Sequence, residues 1–219
     1  MKHEQERQRY LTAREAVLPK EFWADLDAWP LYVGTKNLKR YLFLADLLRR
    51  VEDVPGDIAE FGCWKGATTS FFAKVLSQTN KRVHAFDSFE GFDAQVTAEK
   101  ELRSNYKGSL QTLQTMLDVN GLTGAVEFHV GDICKTVQEF DARLSLVMID
   151  CDVYEPCIAA LLRTHNLLSR GGLIVFDEWN DPAWPGETQA ANEFLKMVGD
   201  EYIQETTPVE QPSLVLVKK

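Results

Sequence analysis

Apolar positions along the chain fall into short continuous runs, separated by stretches at helical spacing. Ile58-Ala59-Glu60-Phe61 is a run broken by one acid. Past Gly62 and Gly66 the pattern resumes every three or four residues through Phe71, Phe72, Val75 and Leu76, which predicts strand, glycine turn and helix. Arg82 to Phe86 predicts a second strand ending at Asp87. Ser109 caps a helix running through Leu110, Leu113, Met116 and Leu117 to Asn120-Gly121. Val126 to Val130 alternates into a third strand. Leu144 to Ile149 and Leu173 to Phe176 are near-continuous apolar runs, as expected of central strands buried on both faces. The helix between them tolerates Pro156 in its first turn, and Gly171-Gly172 is expected to stop it. A further helix spans about Thr188 to Val198. Tyr202-Ile203 and Leu214 to Val217, with Pro208 and Pro212 between them, suit an antiparallel hairpin at the sheet edge.

This alternation predicts an α/β fold: a doubly wound, mostly parallel seven-stranded sheet with helices on both faces, Rossmann-like. Residues 1–50 read as helices, with an aromatic cluster at Phe22, Trp23, Trp29, Leu31 and Tyr32. A stripe at Leu38, Tyr41, Leu42, Ala45 and Leu48 follows. The expected organisation is one domain over residues 1–219, with 1–50 a helical N-terminal cap and 51–219 the core. Residues 92–107 are polar and aperiodic.

Charge narrows the partners. The 219 residues carry a net charge of −9, which disfavours nucleic acid as the main partner because phosphate binding needs a basic footprint. No apolar run approaches the roughly 20 residues that span a bilayer, so no membrane association is expected. Met1 to Arg7 is too polar for a signal peptide, and a cytoplasmic location is expected. The four cysteines, Cys63, Cys134, Cys151 and Cys157, make no Cys-x-x-Cys pair and read as reduced residues in or near the core. Cys151, between Asp150 and Asp152, is a poor thiolate. His3, His84, His129 and His165 are scattered without metal or triad spacing and read as structural.

The first strand ends in Glu-x-Gly-x-x-x-Gly, not the Gly-x-Gly-x-x-Gly of a dinucleotide site. An acid there repels phosphate and attracts a cationic ligand, which points to S-adenosylmethionine rather than a nicotinamide. Asp87, at the tip of the second strand, suits ribose hydroxyls. Asp132 is positioned to accept from an adenine amino group, with Ile133 against the ring. Sequential parallel strands share a rim, so Asp150 and Asp152 should lie close to Asp177 and Glu178. Such a cluster calls for a hard divalent ion, Mg²⁺ or else Ca²⁺ or Mn²⁺. If the fourth strand continues that far, Asp150 and Asp152 point the same way, one to hold the ion and the other to take a proton.

Gly56 to Gly66, Asp87-Ser88-Phe89-Glu90-Gly91, Asp150-Cys151-Asp152-Val153-Tyr154 and Asp177-Glu178-Trp179 together resemble the macrocin O-methyltransferase family. The resemblance covers roughly residues 38–198. It implies a class I, S-adenosylmethionine-dependent and divalent-metal-dependent sugar O-methyltransferase of natural product biosynthesis. It further implies that Glu60, Gly62, Gly66, Asp87, Ser88 and Asp132 line the cofactor site, which Trp64, Lys65, Ile133 and Asp150 complete. Asp150, Asp177 and Glu178 are the implied metal ligands and Asp152 the implied general base. Tyr154, Trp179 and Trp184 are candidates to stack on a sugar ring. The expected partner is a small sugar-like acceptor, and a homodimer through the aromatic N-terminal helices is compatible with the pattern. The competing readings are metal-dependent methylation of a small non-sugar diol and a catalytically silent cofactor-binding protein.

Overall fold

The apolar run Leu144–Ile149 is β4, and every residue in it is buried. It sits at the middle of a seven-stranded sheet of order β3-β2-β1-β4-β5-β7-β6. The other strands are β1 (Asp57–Phe61), β2 (Val83–Asp87), β3 (Val126–Val130), β5 (Leu168–Phe176), β6 (Tyr202–Thr206) and β7 (Leu214–Lys218). The computed structural model describes residues 38–92 and 107–219. The aromatic cluster before residue 38 and most of the polar segment 92–107 lie outside the described residues.

β1 to β5 run parallel, and β7 pairs antiparallel with both β5 and β6. The C-terminal hairpin expected from the sequence therefore forms, with β7 as its inner strand. The helices are α1 (Leu38–Arg50), α2 (Ala67–Leu76), α3 (Leu110–Val119), the single turn α4 (Ile133–Thr136), α5 (Tyr154–Leu167) and α6 (Pro185–Val198). The two sheet faces bury separate cores. α1 and α2 pack Tyr41, Leu44, Leu48, Phe71 and Phe72 on one face. α5 and α6 pack Cys157, Leu161, Ala190 and Phe194 on the other. Ser109 caps α3 as expected, its Oγ accepting the Thr112 amide at 3.2 Å, an interaction worth about 1 kcal/mol.

One sequence expectation fails here. Gly171-Gly172 does not stop α5, which ends at Leu167, and both glycines lie inside β5. The β4–β5 register jumps between Leu144↔Leu168 and Leu146↔Leu173. The glycines form a bulge in a strand that has already begun.

Candidate functional site

Because β1, β4 and β5 are parallel neighbours, their carboxyl ends open on one rim. Gly62 follows β1 with φ 89°, and a Cβ there would lie 1.9 Å from the Asp150 carbonyl oxygen. Only glycine lets the β1 and β4 tips abut this closely. Gly66 opens α2 with φ 78° under the side chain of Leu113. Between them Trp64 adopts φ 45° and stands exposed, with Lys65 Nζ 4.4 Å from its ring centroid.

Asp87 ties this turn to the tip of β2. Its Oδ2 accepts the Trp64 amide at 2.7 Å and its Oδ1 the Phe89 amide at 2.6 Å. Ser88 turns into its own loop, where its Oγ accepts the Glu90 amide at 3.2 Å. Asp132 is exposed and caps α4, accepting the Cys134 amide at 3.0 Å. Ile133 is buried behind it. Glu60 is 1% exposed, and Thr69 donates to its Oε2 at 2.5 Å. Burial pushes the Glu60 carboxyl up to about 8, against the lowering effect of that hydrogen bond.

Asp150, Asp177 and Glu178 each present a carboxylate oxygen, all within 4.8 Å of one another. Glu178 Oε1 accepts from Gln211 at 3.1 Å, while its Oε2 is buried without a partner. Arg40, on α1, enters from the other side. It donates to Asp177, to Asp150 at 2.9 Å and to Thr68 Oγ1 at 3.3 Å. Burial alone would depress its basicity, but the two carboxylates hold it above its usual value. Burial and Asp177 raise the Asp150 carboxyl, and burial with Asp150 raises Glu178.

Asp152 reaches the rim by a route the sequence does not suggest. β4 ends at Ile149 and does not continue through Asp152. A three-residue turn instead centres on Asp152, whose φ is 63°, closed by the Val153 amide on the Cys151 carbonyl at 2.6 Å. Left-handed backbone at a non-glycine residue is strained and concentrates at functional sites. Burial, then Asp150 and Asp177, push the Asp152 carboxyl up to about 8.

The sequence pattern does not reveal Arg40 and Glu187 as site residues. Arg40 lies beside the apolar stripe of α1, not on it. Glu187, an acid in the first turn of α6, is fully buried, and its Oε1 accepts the Glu178 amide at 2.8 Å. Burial raises its carboxyl well above the usual range. His84 and His129, scattered in sequence, do not sit apart in the fold. Neighbouring strands bring their rings together, Nδ1 to Nε2 at 3.2 Å. Tyr154 donates to Glu193 at 2.7 Å, and Trp184 packs 5.7 Å from Phe92. All four cysteines are free, with Cys151 and Cys157 sulfurs 3.3 Å apart and both thiols raised. Among the described residues, no helix is long and apolar enough to cross a membrane.

Strand order, glycine turn and acidic rim define a Rossmann-like class I methyltransferase fold. A crystal structure of the calicheamicin methyltransferase CalS11 superposes with a TM-score of 0.73 at 24% identity, covering 99% of this chain and 92% of that one. The chain belongs to the macrocin-O-methyltransferase (TylF) family, whose model matches residues 3–204. It is 28% identical over 169 residues to 8-demethyl-8-(2,3-dimethoxy-alpha-L-rhamnosyl)-tetracenomycin-C 4'-O-methyltransferase of Streptomyces olivaceus, covering 69% of this chain. It is 29% identical over 167 residues to mycinamicin III 3''-O-methyltransferase of Micromonospora griseorubida, again covering 69% of this chain. The chain spans just under two thirds of these relatives' lengths, 64% and 65% respectively.

Proposed function

We propose that the chain transfers a methyl group from S-adenosylmethionine to a hydroxyl of a sugar or sugar-bearing natural product, with a divalent cation, Mg²⁺ by ligand chemistry, at the acidic rim. The observation that carries this reading is the convergence of Asp150, Asp177 and Glu178 within 4.8 Å, beside the glycine turn. Family membership supports methyl transfer, and the relative named for a rhamnosyl tetracenomycin supports a sugar hydroxyl as acceptor.

The residues fit both groups. Each Asp87 oxygen accepts one amide and keeps a further lone pair for a ribose hydroxyl. The rim offers hard oxygen donors, one of them the orphaned Glu178 Oε2. A single guanidinium faces the three clustered carboxyls Asp150, Asp177 and Glu178 and reaches only two of them.

When bound, S-adenosylmethionine supplies an electrophilic methyl on a sulfonium. The ion supplies positive charge that acidifies a hydroxyl. The chain's own residues do the rest. Asp150, Asp177 and Glu178 would hold the ion, with Glu187 fixing Glu178 through its amide. Asp152 accepts the hydroxyl proton as the oxygen–carbon bond forms and the carbon–sulfur bond breaks. Its raised affinity for protons suits a base working near neutrality. The products are a methyl ether, S-adenosylhomocysteine and protonated Asp152.

The test is to incubate the protein with methyl-labelled S-adenosylmethionine and a panel of deoxysugar glycosides and simple diols, with Mg²⁺ or with chelator. Labelled glycoside in Mg²⁺ alone is expected. Transfer only to diols would overturn the acceptor class, and turnover surviving chelation would overturn the role of the ion.

A further inference from the structure

The edge of the sheet gathers a second cluster, remote in kind from the acidic rim. In the β2–β3 register His84 lies opposite Glu127, and Phe86 lies opposite His129. Two-residue alternation places all four side chains on one face. His84 Nδ1 and His129 Nε2 stand 3.2 Å apart. The Glu127 carboxylate lies 3.8 Å from the first and 3.9 Å from the second.

We propose that His84, His129 and Glu127 bind one divalent transition-metal ion of the zinc class, with Asp57 as the residue that orients His84.

Four features carry this. First, zinc–nitrogen bonds of about 2.0–2.1 Å in tetrahedral geometry separate ligand atoms by roughly 3.3 Å. The two imidazole nitrogens already meet that separation. Glu127 is half exposed, and its side chain is free to swing one oxygen in from the 4.8 Å within which the three ligand atoms already lie. Secondly, His84 Nε2 faces Asp57 Oδ2 at 3.2 Å. That contact puts the ring proton on Nε2 and leaves the Nδ1 lone pair facing the cluster, the carboxylate–histidine arrangement that orients metal ligands. Asp57 is itself fixed, accepting the Arg82 amide at 3.0 Å.

Thirdly, the rings are held in place. His129 stacks on Phe86 at 4.1 Å, and Phe140 sets its edge against His84 and His129 at 4.9 and 5.4 Å. Fourthly, the cluster opens on a cleft of about 650 Å³ whose wall includes Thr136, Glu139 and Asp141. This gives an entry path, acidic neighbours that favour a cation, and room for a water as fourth ligand. The Thr136 hydroxyl is buried there without a partner. Arg82 competes only weakly, 3.9 Å from Glu127 on an exposed side chain. Two imidazoles with one carboxylate select zinc-like ions over Mg²⁺ or Ca²⁺. The ion would clasp edge strand β3 to β2.

The test is calorimetric titration of the metal-free full chain with Zn²⁺ in excess Mg²⁺, added to compete at the oxygen-only rim proposed above. One Zn²⁺ per chain is expected, with Co²⁺ giving the visible absorption of a four-coordinate nitrogen–oxygen site. His129→Ala and Glu127→Gln, both on partly exposed side chains, should each weaken Zn²⁺ binding at least about tenfold, and Asp57→Asn by about 10- to 100-fold. Absence of Zn²⁺ binding by the wild-type chain, or unchanged affinity in both ligand variants, overturns the proposal.

Discussion

Arg40 on α1 donates to Asp177 at the tip of β5, 137 positions further along the chain. The same guanidinium holds Asp150 at 2.9 Å, so one positive charge bridges two of the three carboxylates suited to a metal. Arg40→Gln should therefore have opposite effects in two measurements. Removing one partner of a buried ion pair typically costs about 3–5 kcal/mol, so the metal-free variant should unfold at lower denaturant at pH 8. Its Mg²⁺ affinity, read by calorimetry, should rise because the ion no longer competes with an arginine. Weaker Mg²⁺ binding would make Arg40 a supporting residue of the ion site rather than its rival.

Asp152→Asn keeps the shape of the turn and removes the base. Turnover should fall by about 10²- to 10⁴-fold while S-adenosylmethionine affinity stays within a factor of two or so. In the wild-type chain kcat/KM should rise with pH as Asp152 loses its proton, and the variant should lack that limb.

Raised carboxyls fix the sign of the stability profile. Glu60 and Asp152 are pushed up to about 8, so the folded chain holds these protons more tightly than the unfolded one. The stability they contribute is fully present below the unfolded values near pH 4 and is lost as pH rises through about 8. Without metal, Tm should fall between pH 5 and pH 8.5. Mg²⁺ should restore only the part due to Asp152, whose carboxyl is raised by Asp150 and Asp177 at the rim, and should leave the part due to buried Glu60. A flat metal-free profile would contradict the placement of these groups.

Gly62→Ala should disrupt the site from the backbone. The added methyl overlaps the Asp150 carbonyl at 1.9 Å at a φ of 89°. Left-handed strain and overpacking together amount to roughly 2–5 kcal/mol. Loss of stability should come with loss of both cofactor and Mg²⁺ binding, measurable by calorimetry. Gly124→Ala, where a methyl meets nothing within 4 Å, is the control.

What the sequence revealed follows from the physics of each element. β4 and the apolar end of β5 declare themselves because strands covered on both faces have no polar positions. Adjacency of sequential parallel strands then brings Asp150 to Asp177 and Glu178. Relationships set by register or by approach from another layer stay hidden. His84 and His129 meet only through β2–β3 pairing, although a histidine inside the buried run Val83 to Phe86 already signalled a need for a partner. Glu187 is the same case on a helix: nothing in its spacing tells a solvated acid from one folded beneath Glu178. Whether β4 continued through Asp152 stayed open in the sequence, because alternation says nothing about where pairing stops.

The C-terminal hairpin fastens the rim it borders. Ser213 donates through its amide to the Phe176 carbonyl at 2.8 Å and through its hydroxyl to the Asp177 carbonyl at 2.9 Å, while Gln211 secures Glu178. β7 also closes the open flank of β5. On the ribosome, the nascent sheet would thus expose a bare hydrogen-bonding edge, and Asp177 and Glu178 would lack the two anchors that this hairpin supplies, until residues 211–218 had emerged from the exit tunnel.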